Sequence, residues 1–414
     1  NNFNQGGTIT VDSNNNTISA NFIFNQEDDV GIIVSGTGNV VEDNSINSPY
    51  SGIVLLETEN NLLRNNVISN PLVVGVYALG GNAEGEPNIL QGNTITGSQD
   101  LGIFLQDTVN MQVLENTIQG NEVGIETSDV EDTNVYHNTI QANGINLINH
   151  SGELVAEENY WGLSNAFGNQ DCAAIDQNIL DWEDYFRDGE EDGHGGRVDF
   201  NPILDAPFDA GGVLEDKCTP VLLIHGIYSS DAMWSNDVTD ELTQKGMRFY
   251  KVGEQINQGG LFPNNSAIQQ LAGQAALAIQ QVKRKTGEKK IDVLAHSMGG
   301  LVTRAYTVLS PLYQNDVRKL MMLGTPNEGA PIAKKLIAGF VGFVQGTDPT
   351  DQGRKDMIPG FPFLTKLNAK NPTVTHHAIA GTKLTENNPL KSLLCDPILG
   401  DPQYCDPTFI SDTI

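Results

Sequence analysis

A short pattern recurs through the first half of the chain with a nearly fixed period, and this limits the fold more than any other feature. The tripeptide N-x-[IW] appears at Asn16, Asn44, Asn66, Asn93, Asn116, Asn138 and Asn159, at intervals of 28, 22, 27, 23, 22 and 21 residues. Each of the first six is followed by a glycine and a β-branched residue: Gly31-Ile32, Gly52-Ile53, Gly75-Val76, Gly102-Ile103, Gly124-Ile125 and Gly144-Ile145. A third apolar pair completes each unit, as in Val40-Val41, Leu62-Leu63, Ile89-Leu90, Val113-Leu114, Val135-Tyr136 and Leu154-Val155. Such a period marks a solenoid, in which one unit buries its apolar face only against its neighbours. Three short apolar segments per unit, without helical spacing, predict three strands per coil. The expected fold is a right-handed parallel β-helix with coils stacked at the strand spacing of about 4.8 Å. Inward Ile, Val and Leu fill the cylinder, stacked Asn side chains bond from coil to coil, and insertions such as Gly80 to Glu86 bulge outward.

Charge divides the 414 residues into the same halves. The whole chain has 23 basic and 52 acidic residues, a formal charge of −29. From Asn1 to Leu204 there are 31 acids, no lysine, and only three bases, Arg64, Arg187 and Arg197. From Asp205 to Ile414 there are 21 acids and 20 bases. The expected organisation is therefore a β-helix over 1–204, a Pro- and Gly-containing linker over 205–217 and a second domain over 218–414. Nucleic acid is excluded as a partner, because an acidic surface repels phosphate, and an anionic membrane surface is disfavoured for the same reason. No apolar run reaches the roughly 20 residues of a membrane helix. The chain begins inside the running repeat without a Met, so the true N-terminus is expected further upstream.

The four cysteines, Cys172, Cys218, Cys395 and Cys405, lack metal-ligand spacing. Cys395 and Cys405 could close a Pro-rich loop and Cys172 could reach Cys218; four free thiols are the alternative. An even count beside a lysine-free repeat favours a secreted or cell-surface protein.

The first 204 residues resemble the β-helix repeats of carbohydrate-binding and sugar-hydrolase proteins. The resemblance continues through Asn159-Tyr160-Trp161-Gly162 and Val198-Asp199-Phe200-Asn201-Pro202, which look like the N-[YW]-W-G and V-x-[FY]-x-P ending of such domains. It raises the prospect of a glycan on the β-helix. Carboxylates for glycoside chemistry are present in Asp28, Asp29, Glu122, Glu126, Asp129, Glu131 and Asp132, but the bases that a uronate lyase needs are nearly absent. A solvated acidic surface is the simpler reading. Asp188, Glu190, Asp192, Gly193 and Asp199 fit a loose calcium-loop pattern, with Glu at its third position and Asp at its twelfth. A plain acidic loop is the alternative, and no metal or organic cofactor is required.

The second half alternates strand and helix patterns. Val221 to Ile224, Arg248 to Val252, Ile291 to Ala295, Lys319 to Leu323 and Val374 to Ala380 read as strands, and Ile268 to Lys285 as a helix with a basic last turn. This predicts a parallel sheet and an α/β fold. The chemistry sits at Ala295-His296-Ser297-Met298-Gly299-Gly300, a G-x-S-x-G elbow with Ala in first place. Ser297 must turn sharply between strand and helix so that its hydroxyl stands clear, and small neighbours let the two elements close up. His225-Gly226-Ile227 ends the first strand, so the Ile227 and Met298 amides are the expected oxyanion donors. Leu323-Gly324-Thr325-Pro326-Asn327-Glu328-Gly329-Ala330-Pro331 follows a later strand, ahead of Met357-Ile358-Pro359-Gly360 and Phe363 to Asn368.

These motifs look like the lipase and esterase branch of α/β-hydrolases. Elbow and H-G-I strand are similar to bacterial triacylglycerol lipases, and the L-G-T-P-N segment to GPI inositol-deacylase-like and acyltransferase-like lipases. The resemblance implies an ester or lipid substrate, no cofactor, and triad order Ser, Asp, His. Among Glu386, Asp396, Asp401, Asp406 and Asp412, the last is the expected acid, because Ser411-Asp412-Thr413-Ile414 looks like an S-D-x-[IV] acid loop. No histidine follows it. His225 belongs to the H-G pair, His296 is expected to face away, and His376 and His377 precede the acid on a strand. The base is therefore expected beyond Ile414, and the chain as given to hydrolyse p-nitrophenyl esters very poorly. Robust turnover lost in His377→Ala would overturn that expectation. Leu336 to Val344 is expected to be a lid or a packed helix. The sequence reads as an exported serine ester hydrolase with a β-helix in front. Two other readings stand beside it: a carbohydrate-active β-helix with an accessory deacylase, and an adhesion protein with an inactive hydrolase domain. Oligomeric state is not legible in it.

Overall fold

The computed structural model describes residues 2–3, 7–24, 29–47, 49–81, 85–181, 197–215, 217–227, 230–253, 256, 266–286, 288–330, 333 and 352–379. The chain forms two compact units, 1–218 with 243–247, and 219–242 with 248–414.

The first unit is a parallel β-helix. Its strands form three all-parallel sheets, of seven, eight and eight strands among the described residues. The sheets correspond to the three apolar segments of the repeat. One runs from Asn2–Phe3 to Thr139–Gln141, the second from Ile9–Val11 to Ile179–Leu180, and the third from Thr17–Ser19 to Arg197–Asp199. Alternation puts one residue of each short strand inside: Ile23, Ile46, Ile68, Ile95, Ile118 and Ile140 in the first sheet are all fully buried. These fill the cylinder together with Ile32, Ile53, Ile103 and Ile125 of the second sheet and Val41, Leu63, Leu90 and Val113 of the third.

Asparagines link the coils between the third and first sheets. The Nδ2 of each donates to the Oδ1 of the next along Asn21, Asn44, Asn66, Asn93, Asn116, Asn138 and Asn159, at 2.9 to 3.0 Å. The same Oδ1 also accepts the preceding Asn's backbone N–H. Asn21 starts this ladder rather than Asn16. Asn16 belongs to a second ladder at another corner, through Asn39, Asn61 and Asn88. The first coil contains N-T-I and N-F-I in succession, and pairing of Phe22 with Ser45 selects the second. The anomalous first interval of 28 thereby becomes 23. Before each ladder Asn the chain turns through the left-handed region, at Ala20, Asp43, Asn65, Gly92, Glu115, His137 and Glu158.

The repeated glycine has a different cause. At Gly124 a Cβ would lie 2.5 Å from the Asn146 carbonyl oxygen of the next coil and 2.9 Å from Asn143 Nδ2. Gly31, Gly52, Gly75 and Gly102 each face the carbonyl of the following glycine. In the last coil Asn146, not Gly144, stands at the equivalent place. A backbone oxygen cannot step aside, so Gly124→Ala should lower stability by about 1–3 kcal/mol. The urea midpoint of the variant measures this, and an unchanged midpoint would refute the stacking explanation.

Past the last ladder Asn the unit buries Trp161 fully, edge-on to Phe200 with ring centroids 6.4 Å apart. Cys172, the first residue of a helix capped by Asp171, is bonded to Cys218. Ile203–Leu204 and Leu214–Glu215 pair antiparallel. Residues 188–196 of the calcium-like pattern, and Cys395 and Cys405, lie outside the described residues. Among the described residues no group of three or more His, Cys, Asp or Glu could hold a metal ion, and no helix is long and apolar enough to cross a membrane.

The second unit is an α/β sheet. Its elements are β1 (Val221–Ile224), α1 (Asn236–Gln244), β2 (Phe249–Lys251), α2 (Ile268–Thr286), β3 (Ile291–His296), α3 (Met298–Leu309), β4 (Val317–Leu323), α4 (Gln352–Asp356), α5 (Pro362–Asn368) and β5 (Thr375–Ile379). All five strands are parallel in the order β2-β1-β3-β4-β5. The apolar stripe of α2, including Leu271, Ala275, Ile279 and Val282, is buried with Leu301, Val302 and Ala305 of α3 and with Val293 and Leu320 of the sheet.

Candidate active site

The site begins at the central strand. β3 is fixed in the sheet by its neighbours: it pairs with β1 on one side and β4 on the other. Arg318 of β4 grips Asp292 of β3 through two charge-assisted bonds, Nε to Oδ1 at 2.9 Å and Nη2 to Oδ2 at 2.6 Å. Beyond β4, Asp316 is buried. It accepts the Tyr306 hydroxyl from α3 at 2.8 Å and Gln280 Nε2 from α2 at 2.8 Å. Burial, then Asp316, pushes the Tyr306 phenol well above its ordinary range, so it remains a donor.

At the end of β3 the chain reverses at Ser297, with φ 51° and ψ −125°. A non-glycine residue in this region is strained, and such strain concentrates at functional sites. Ser297 is the N-cap of α3, yet its side chain makes no capping bond. Its hydroxyl is thus not committed to the helix, as an N-cap serine's usually is. Its backbone N–H donates to Leu323 O at 2.9 Å, tying the turn to the end of β4.

Close packing explains the small residues that follow. A Cβ on Gly299 would lie 2.7 Å from His225 O and 2.8 Å from Ile224 O. On Gly300 it would collide with the Thr325 side chain. Gly226 in turn lies against the Ser297 turn, its Cβ position 2.8 Å from Ser297 Cβ and 3.1 Å from His296 Nδ1. The structure thus brings together Ser297, the Met298 amide at the first turn of α3, and the Gly226-Ile227 peptide. Ile227 N–H makes no hydrogen bond with another described residue. Met298 N–H, at the first helical position, has no intrahelical acceptor.

His296 does not face away. Its ring turns toward Gly226 and interacts with His225. Burial lowers the affinity of both imidazoles for protons. For His296 the neighbouring His225 lowers it further, and for His225 the Gly226 hydrogen bond and Asp231 oppose the shift in part. Both rings are neutral in the fold near neutral pH. In the unfolded chain they titrate near 6.5. Their contribution to stability is therefore complete above that value and is lost as the pH falls toward the depressed folded values, because the unfolded state then binds more protons. The urea midpoint of the second unit should fall between pH 7 and 5, and fall less steeply in His296→Asn. Parallel pH profiles for the two proteins would exclude His296 as a source.

Sequence reasoning missed the supports around the turn. Arg304 of α3 donates to Asn327 Oδ1 at 2.8 Å and to Asn368 Oδ1 at 2.9 Å, while Asn368 Nδ2 donates to Asn327 O. This fastens the Gly324–Gly329 loop to α3 and α5. Ala330 N donates to Met357 O at 2.8 Å, which docks the same loop on 357–360. Asp356 accepts the first amide of α2, Ile268 N, at 2.9 Å. Asn327, Met357 and Asn368 stand inside motifs legible in the sequence, whereas nothing local marks Arg304 or Asp356. His376 and His377 pair with Leu320 and Met321 on β4, which are level with Val293 and Leu294, four and three residues before Ser297. Asp412 and Leu336 to Val344 lie outside the described residues.

The family model described as periplasmic copper-binding protein (NosD) matches residues 1–179, and the PGAP1-like alpha/beta domain matches residues 261–342. A triacylglycerol lipase of Pseudarthrobacter phenanthrenivorans is 30% identical over 137 residues, covering 32% of this chain and 39% of that protein. A triacylglycerol lipase of Burkholderia plantarii is also 30% identical over 137 residues, covering 32% of this chain and 34% of that one. The chain thus spans less than half the length of the curated relatives it matches. Among solved structures, the mature form of a Bacillus licheniformis lipase covers 41% of this chain and 69% of its own, at 16% identity and a TM-score of 0.35. The chain joins a parallel β-helix, similar over residues 1–179 to the NosD family, to an α/β sheet domain. That second half is similar to triacylglycerol lipases and to the PGAP1-like domain.

Proposed function

We propose that the second unit is a serine hydrolase that cleaves carboxylic esters through an acyl-enzyme, with Ser297 as its nucleophile. The observation that carries this is the strained turn at Ser297, whose hydroxyl the helix does not use. Ser297 Oγ attacks the ester carbonyl carbon, and its proton passes to an imidazole oriented by Asp412. The carbonyl oxygen becomes an oxyanion held by the Ile227 and Met298 amides, which are fixed beforehand and need no reorganisation. Collapse expels the alcohol, and water then releases the acid from Ser297. The strand positions of His376 and His377, short of the elbow, argue against either as that imidazole. The names of the relatives, triacylglycerol lipases, favour a fatty-acyl ester as substrate. The Cys172–Cys218 disulfide favours an oxidising compartment, hence export. In the full-length protein, a burst of p-nitrophenol from a p-nitrophenyl ester, stoichiometric with protein, tests the acyl-enzyme. Linear release from time zero at saturating substrate would argue for another mechanism.

A second role, for the β-helix, is favoured by one of its faces. Among the described side chains, the outward positions of the first sheet are Phe22, Phe24, Ser45, Asn47, Val67, Ser69, Thr94, Thr96, Thr117, Gln119 and Gln141. None is charged, in a half of the chain with 31 acids. Phe22 and Phe24 are exposed. Such a face suits an uncharged, hydroxyl-rich polymer. Retardation in native gels containing a neutral polysaccharide, lost in Phe22→Ala/Phe24→Ala, checks it.

A further inference from the structure

Beside the nucleophile stands a buried histidine that the mechanism does not use. His225 is 2% exposed, and its Nδ1 lies 3.0 Å from the carbonyl oxygen of Gly226, the residue that follows it. A carbonyl oxygen can only accept, so Nδ1 must carry the hydrogen. Burial keeps the ring neutral, which leaves Nε2 without a proton. The peptide joining Gly226 to Ile227 is trans, since the chain's one cis bond among the described residues is Asn201–Pro202. In a planar trans peptide the C=O and the next N–H point in opposite directions. Whatever fixes Gly226 O therefore fixes Ile227 N–H. The peptide is held against the nucleophile turn, with the Gly226 Cβ position 2.8 Å from Ser297 Cβ. Ile227 N–H has no acceptor of its own among the described residues to hold it.

From this geometry we infer that His225 is a positioning residue: its Nδ1–H, by gripping the Gly226 carbonyl, locks the Gly226-Ile227 peptide so that the Ile227 amide faces the oxyanion site beside Ser297. The inference rests on the reading of Ser297 as nucleophile, and on an atom of His225 that no proton transfer employs. A free glycine peptide could rotate and spend the amide elsewhere. The histidine removes that freedom before substrate arrives, which is where an oxyanion site gains over water. His225 is thus required as a neutral donor, not as a base.

The two 225 variants to compare are His225→Asn, whose Nδ2 falls near the place of Nδ1 and can still donate, and His225→Leu, which cannot. In the full chain, His225→Leu should lower kcat for p-nitrophenyl acetate by roughly 10- to 100-fold at nearly unchanged KM, and slow fluorophosphonate labelling in proportion. His225→Asn should stay within about threefold of the wild type. The 15N spectrum of histidine-labelled protein should show the His225 ring protonated at Nδ1 alone from pH 6.5 to 8. Wild-type rates in His225→Leu, equal losses in both variants, or a ring protonated at Nε2 would each overturn the positioning role. A wild type inert to the probe would instead overturn the nucleophile reading and the catalytic role of His225 with it. The spectrum does not depend on activity, so the two failures are told apart.

Discussion

In the full-length protein, Ser297→Ala loses fluorophosphonate labelling and lowers p-nitrophenyl acetate turnover by at least about two orders of magnitude, the lower end of what removal of an activated nucleophile costs. Its folding should be unaffected. Ser297 Oγ makes no capping bond to α3, and the turn is held by backbone contacts, Ser297 N to Leu323 O and Gly300 N to Ser297 O. The urea midpoint should therefore match the wild type while the chemistry disappears. That separation matters, because the elbow is tightly packed: an indirect effect through Gly299 or Gly300 would lower both together. Turnover that survives Ser297→Ala would move the chemistry to another residue.

Asn116→Leu should cost about 3–5 kcal/mol, a large effect for a substitution of similar volume. Asn116 is 1% exposed and stands mid-ladder. Its Oδ1 accepts Asn93 N at 2.8 Å and Asn93 Nδ2 at 3.0 Å. Its Nδ2 donates to Leu90 O and Leu114 O, each at 2.9 Å, and to Asn138 Oδ1 at 3.0 Å. Leucine fills the space but leaves the Asn93 backbone N–H buried without a partner, takes one acceptor from Asn93 Nδ2, and removes the side-chain donor to the Leu90 and Leu114 carbonyls. Each such group costs about 1–3 kcal/mol. The neighbouring Thr117→Val, on the outward side of the same strand, should change stability by no more than about 0.5 kcal/mol. Urea titrations of the pair check both, and similar small shifts would show the ladder to be ornamental to stability.

The β-helix was legible because its physics is periodic. Inward Ile and Val, and glycines facing the next coil's carbonyl, repeat with the coil, so a single sequence contains its own replicates. The register error at Asn16 shows the limit: two N-x-I tripeptides five residues apart satisfy the same local pattern, and only strand pairing decides between them. The elbow was legible for the opposite reason. The Ser297 turn is a local structure with strict size demands on Ala295, Gly299 and Gly300, and those demands are written in adjacent residues. What was not legible depends on distant partners. Arg304 meets Asn327 and Asn368 across the fold, and Asp356 caps a helix that starts 88 residues earlier. His296 was expected to face away because strand alternation alone cannot show that Gly226, lacking a side chain, leaves room for its ring. The Cys172–Cys218 bond was one of two bridges that the sequence allowed, with four free thiols as the alternative, and a separation of 46 residues gives no local sign of it.

The two halves also differ in how charge bears on function. The second unit is nearly neutral in sequence, and its ionised groups are used in pairs, such as Asp292 with Arg318 and Glu288 with Arg248 at 2.6 Å. The acidity belongs to the β-helix half of the sequence, with 31 acids in residues 1–204.

The most direct test of the account is to locate the adduct. The protein is treated with a fluorophosphonate, digested, and sequenced by tandem mass spectrometry. One phosphonylated serine is expected, Ser297, in the peptide that carries Ala295-His296-Ser297-Met298-Gly299-Gly300, and none in Ser297→Ala. An adduct on a different serine, or ester hydrolysis by a protein that carries no adduct, would contradict it.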